Sequence, residues 1–288
     1  MNKLSPILLG LTLALPGSSL VTAQDQSMAT MSAPKYLQII VEYTKPGKGG
    51  QAHDKTESAF VQTMVKAHFP IHYIAFNAMS GPSRAIFLSH FDSYEAMEKA
   101  MKLLEEPAIA GDYERANVAD GELLDSTKTL YFSSVPELSY HTRADISHGH
   151  FLEARILHVR PGHGKDFEEL VKLWIAAEDK VGTADHWGAY RIDYGEQIGS
   201  YIFLTSDNSL ADIDKSNAED SKFASALSES DKVRMRELRE AAIDQDRFEL
   251  YSVNPAQSYV PEEFTKADPD FWKPKMVEAP AETKKGKK

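Results

Sequence analysis

The chain has 288 residues, 42% hydrophobic and 26% charged, an ordinary globular composition with room for one large or two small domains. A formal net charge of -11 repels phosphate backbones and argues against general nucleic-acid binding. There is no cysteine, which excludes disulfides, thiolate metal sites and a cysteine nucleophile.

The chain opens with Lys3, a short apolar core over Ile7–Leu15, and the small residues Val21-Thr22-Ala23. That order reads as a secretory signal over residues 1–23, cut after Ala23. The apolar core is too short to span a bilayer and is interrupted by Pro16 and Gly17; a retained anchor is the competing reading. The mature protein is therefore expected to be exported, periplasmic or secreted, with no membrane partner after signal removal. Residues 24–34 read as a flexible leader.

Lys35–Thr44 alternates, with Leu37, Ile39, Val41 and Tyr43 on one face and Tyr36, Gln38, Ile40 and Glu42 on the other, and predicts a strand. Pro46-Gly47 ends it. A helix follows over about Gln51–Ala67, with Ala59, Phe60, Thr63, Met64 and Ala67 on one face. His72–Met79 and Arg84–Phe91 form a hairpin about Ser80-Gly81-Pro82-Ser83. Asp92 is placed to cap the next helix, Pro107 breaks it, and a second helical piece covers Ile109–Val118. Lys128–Val135 is a fourth strand.

The pattern then recurs. Tyr36–Gly49 matches Phe151–Gly164 at an offset of 115 residues, with Leu37 on Leu152, Pro46 on Pro161, and Gly47 and Gly49 on Gly162 and Gly164. Phe151–Val159 is a strand, and Phe167, Leu170, Val171, Trp174 and Ile175 make a strongly apolar helical face. Asp185–Tyr194 and Gly199–Ser206 make the second hairpin, Asp207 caps a short helix, Glu219–Asp244 is a longer charged helix, and Arg247–Val253 is the last strand. Phe264, Phe271 and Trp272 are candidates to fold back onto the domain, while Glu282–Lys288 is expected to be disordered.

Each copy reads strand, helix, strand, strand, helix, strand. The fold class is α+β: two tandem ferredoxin-like βαββαβ units packed sheet to sheet as an intrachain α/β barrel. The expected boundaries are 35–140 and 150–259 for the two units, 141–149 for the linker and 260–288 for a partly disordered tail. With its strand and Pro-Gly turns, the helix faces behind them and the hairpins at His72 and His186, the chain resembles the dimeric α/β-barrel superfamily over roughly 35–259. Members include antibiotic-biosynthesis monooxygenases, NIPSNAP-like proteins, EthD-like proteins and stress-responsive barrel proteins. The resemblance implies a fold and leaves the activity open. Closure within one chain lessens the need for a homodimer without forbidding one.

If Leu37, Ile39 and Val41, with Leu152, Ala154 and Ile156, face the helices, the alternate residues face the space between the sheets. That space is then lined by Gln38, Glu42, Tyr73 and Asn77 from the first copy and Glu153, Arg155, Trp187 and Arg191 from the second. Such a set suits a small-ligand pocket, or a set of inter-sheet ion pairs with no ligand. Glu153, His186 and Arg155 are the candidate catalytic groups. His72 and His186 sit at matching strand entrances, as bases or as structural donors to a loop carbonyl. His141, His148, His150, His158 and His163 cluster in sequence; His148 and His150 could bind a metal if a strand set both rings on one side, but His158 faces the helices in this register and His163 lies in the turn, so no metal site and no cofactor are expected. The resemblance raises haem, which a barrel His binds in some relatives, yet nothing here marks a proximal ligand. The functional expectation is an exported barrel that binds a small, partly apolar molecule between its sheets. The alternatives are a cofactor-independent monooxygenase or related oxidoreductase, and a structural or interaction protein.

Overall fold

The structure is a computed structural model that describes residues 34–142 and 146–273. The signal, most of the leader, the centre of the linker and the end of the tail lie outside the described residues.

The first half of the chain runs β1 (Tyr36–Thr44), α1 (Gln51–Ala67), β2 (Tyr73–Ala78), β3 (Arg84–Phe91), α2 (Tyr94–Leu104), α3 (Pro107–Gly121) and β4 (Leu124–Ser134). The second half repeats that order as β5 (Phe151–Val159), α4 (Gly164–Val181), β6 (Gly188–Tyr194), β7 (Ser200–Asp207), α5 (Leu210–Ala226), α6 (Glu229–Ala242) and β8 (Ile243–Val253). Two short helices, α7 (Glu262–Ala267) and α8 (Pro269–Trp272), follow. The eight strands close into one antiparallel barrel in the order β1-β3-β2-β8-β5-β7-β6-β4. The halves join edge to edge through β2–β8 and β4–β6. Closure leaves no strand edge open.

Local signals place the elements with small corrections. The turn after β1 uses Gly47 at φ +76°, where a side chain would be strained. Ser93 rather than Asp92 caps α2, accepting from the Ala96 amide. The charged stretch expected as one helix is two. Ser228 and Asp231 form a capping box that starts α6, and the same device at Ser209 and Asp212 starts α5. β8 begins at Ile243, earlier than expected, because it pairs with β5 along nearly its whole length.

The expected strand register is inverted. Leu37, Ile39, Val41, Leu152 and Ala154 join Ile74, Phe76, Ile86, Phe132, Ile192, Ile202 and Tyr251 in one buried apolar cluster drawn from all eight strands. That cluster fills the barrel. The alternate residues point to the helices: the Arg155 guanidinium lies 4.5 Å from the Trp174 ring of α4. The expectation failed because it treated the helix-covered face as the driest. A closed barrel encloses its interior on every side, so the unbroken apolar alternation belongs there. Arg155 avoids isolation in the outer layer by pairing with Asp246, Nε to Oδ1 at 3.0 Å and Nη2 to Oδ2 at 2.8 Å.

The tail does fold back. Trp272 is buried, packs with Phe264 and Phe271, and donates from Nε1 to the Ser147 carbonyl at 2.7 Å.

Candidate functional site

Inverting the register moves Glu42 out of the barrel and under helix α1. His53 and Glu57 lie four residues apart in α1, so they share the face that meets Glu42. Asp120 comes from the last turn of α3, which packs beside α1. His53 Nε2 is 3.1 Å from Glu42 Oε2, 3.4 Å from Asp120 Oδ1 and 3.8 Å from Glu57 Oε1. One ligand atom from each of the four residues lies within 4.8 Å of all the others. His53, Glu57 and Asp120 are each 3% exposed or less.

Neighbours fix these groups in place. Thr56 Oγ1 donates to Asp120 Oδ1 at 2.6 Å. Gln257, fully buried in the short turn after β8, brings its amide nitrogen 3.3 Å from His53 Nδ1 and donates to Asp54 Oδ1 at 3.0 Å. An amide nitrogen only donates, so in this arrangement Nδ1 accepts and Nε2 carries the proton that faces the carboxylates. The Phe87 ring stands edge-on to His53 at 6.5 Å, and Tyr73 packs on Phe87 at 5.9 Å. Glu57 Oε1 and Gln257 Oε1 are buried with no hydrogen-bond partner among the described residues.

Burial and crowding of like charge govern protonation here. Burial, then the Glu42 and Asp120 charges and a hydrogen bond with Asp120, push Glu57 up to about 10, so its carboxyl is neutral at ordinary pH. Burial also raises Glu42, against the opposing hydrogen bond from His53. His53 is raised: burial pulls it down, but the Glu42 hydrogen bond and the Asp120 and Glu42 charges outweigh that.

The remaining expected site residues do not gather in one place. Tyr73 borders the cluster through Phe87, whereas Gln38 bonds Tyr131 and Ser89. Asn77 pairs with Ala85 and Ser252 along the strands. Glu153 and Arg155 lie on the outer face of β5; burial raises Glu153, with Asp185 adding to it. Trp187 donates to the Leu138 carbonyl at 2.8 Å, and Arg191 is exposed. His186 meets the Ser206 carbonyl at 3.0 Å, the structural role that competed with catalysis. His72 stacks on Tyr259 at 4.5 Å. His150 contacts Asp268 and stacks on Phe271; His158 contacts Asp244.

Comparing the two halves exposes what periodicity alone missed. Glu42 sits where β5 has Leu157, at the offset of 115. At an offset of 114, the buried residues His53, Glu57, Thr63 and Met64 of α1 fall on Phe167, Val171, Ala177 and Glu178, all buried in α4. At an offset of 122, Ala116 and Asp120 of α3 fall on Leu238 and Ala242 of α6. The second half fills this layer with Leu157, Phe167, Val171 and Ala242, each fully buried. The first half fills the same places with Glu42, His53, Glu57 and Asp120.

No family model matches the sequence, and neither does any curated protein. Among solved structures, the chain is similar to an anthrone oxidase-like protein, with a TM-score of 0.50 at 9% identity over 80% of this chain and 95% of that one. It is also similar to a Fusobacterium nucleatum protein provisionally called a monooxygenase, with a TM-score of 0.51 at 10% identity over 77% and 94%. A mutant chlorite dismutase from Candidatus Nitrospira defluvii gives 0.48 at 9% identity over 82% and 96%. The first two show that the α+β barrel is shared; the identities are too low to carry an activity.

Proposed function

We propose that this protein binds a small, partly apolar molecule, and that it does so between the sheet and helices α1 and α3 of its first half. The observation that supports this is the exchange of four buried apolar residues in the second half for Glu42, His53, Glu57 and Asp120 in the first. Fold stability does not call for the exchange, since apolar groups of like volume usually serve it as well or better. Phe87 and Tyr73 supply an apolar wall, and the carboxylates supply acceptors with few donors to match them. The preferred ligand therefore carries O–H or N–H groups on an apolar body. The oxidoreductase alternative is kept for one reason: the cluster gathers the titratable groups that a reaction needs.

The test uses 1-naphthol, an O–H group on an apolar body, as the probe. Full-length protein should take it up, and the double substitution His53→Phe with Glu57→Val, which installs the second-half residues, should abolish uptake while the circular dichroism is unchanged. Equal uptake by both proteins would place binding elsewhere.

Two further parts of the reading concern the whole chain. The matching order of elements supports a tandem duplication of a ferredoxin-like unit. Lys3, Ile7–Leu15 and Val21-Thr22-Ala23 support export with a mature start near Gln24. N-terminal sequencing of exported protein that returned Met1 would remove the second.

A further inference from the structure

We infer that Glu42, His53, Glu57 and Asp120 hold a divalent first-row cation. This rests on the proposal that the layer beneath α1 and α3 is the site, and it names the cofactor of that site.

The donor set is one imidazole nitrogen and three carboxylates, with no sulfur in the set. Such N/O sets suit zinc, manganese, iron or cobalt. Metal–ligand distances of about 2.0–2.2 Å put tetrahedral neighbours roughly 3.4 Å apart. The separations from His53 Nε2 are 3.1, 3.4 and 3.8 Å, which bracket that edge before any cation draws the ligands inward.

A group of acids is not by itself a metal site, and two independent observations carry the inference further. Glu57 Oε1 is buried without a hydrogen-bond partner and faces the cluster, 3.8 Å from His53 Nε2. The carboxyl does have a hydrogen bond with Asp120, but a buried polar oxygen with no partner of its own is costly unless something binds it. Second, all four positions are apolar in the second half. A cation bound here displaces the Glu57 proton and offsets the three carboxylates that result.

The surroundings resemble those of a ligand set held in place. Thr56 fixes Asp120. Gln257 lies on the far side of the imidazole. Coordination through Nε2 leaves the proton on Nδ1, so Gln257 must turn its amide and present Oε1, an atom that now lacks a partner. Asp54 then keeps Asn254 as a donor, at 2.7 Å.

The test titrates chelator-treated full-length protein with manganese, zinc and cobalt chlorides separately, by calorimetry. The expected result is one equivalent of at least one ion per chain. Glu57→Gln and His53→Gln should each weaken that ion at least tenfold, while Glu169→Gln on the exposed face of α4 leaves it unchanged. No uptake by the wild type, or equal uptake by both site variants, overturns the inference. Should the variants fail to fold, the wild type decides the matter. Bound manganese that shows nitrogen coupling from one imidazole supports the inference, and bound manganese without it overturns it. Uptake of 1-naphthol that persists in a protein taking up no cation overturns the cation and leaves the binding site standing. Cation uptake without uptake of 1-naphthol supports the cation while the proposed ligand falls.

Discussion

Arg155 shows how far a single residue could be read. The alternation that singled it out was correct, and the choice of which face was inside was not. Its guanidinium is bidentate on Asp246 and lies over Trp174 and Phe248. Arg155→Ala should lower stability by about 2 kcal/mol, through the lost charged hydrogen bonds, and leave ligand binding unchanged. Urea denaturation with parallel binding titrations checks both halves of that statement. Asp246 gives a pH test. Burial raises its pKa, but the hydrogen bonds and charges of Arg155 and Arg239 outweigh this and hold it below the ordinary range. A folded pKa below the unfolded one contributes stability that is present above the unfolded value, about 3.9, and is lost as pH falls through the folded value. The urea midpoints of wild type and Asp246→Asn should therefore differ near pH 7 and converge as pH falls through the lowered folded value. A gap that stays constant with pH would show that the pair is not what Asp246 contributes.

At the scale of the element, α1 and α4 carry the argument. The sequence shows α4 as an apolar face through Phe167, Leu170 and Val171, and those residues are buried as expected. The face expected for α1 began at Ala59 and passed over His53 and Glu57, because polar residues four apart read as solvated by default. Nothing local says otherwise. Only the match of each buried position in α1 to one in α4, together with Glu42 against Leu157, marks the polar residues as interior. The site was thus present in the sequence as a difference between the two halves rather than as a motif. Asp120 was harder to see, because α3 and α6 align at another offset. With a chelator present, Glu57→Val should raise stability, by up to about 4 kcal/mol, because it removes a buried carboxyl with an unpartnered oxygen. Thermal melts of the two chelated proteins measure this. A clear loss of stability would mean that Glu57 is a structural member of the layer.

Across the whole molecule, the order of elements could be read, whereas the two sheets expected to pack sheet to sheet instead join at their edges to close the barrel. The hairpins at β2–β3 and β6–β7 and the repeated Pro-Gly turns fix the course of the chain, and eight strands with one apolar face have that face to bury. The edge pairings β2–β8 and β4–β6 span the two halves, and local pattern does not specify them. The tail also belongs to the folded unit. Trp272 is 5% exposed against the barrel cluster, so Trp272→Ala should cost about 3–5 kcal/mol. An unchanged urea midpoint would detach α7 and α8 from the core.

The central claim is that the first half's sheet–helix layer, rather than the barrel interior, is the functional site. A crystal structure of the full-length protein grown with manganese chloride tests it most directly. The account predicts an anomalous peak about 2.2 Å from His53 Nε2 and bounded by Glu42, Glu57 and Asp120. A structure with no peak there, and bound density instead inside the barrel between Leu37 and Leu152, would contradict it.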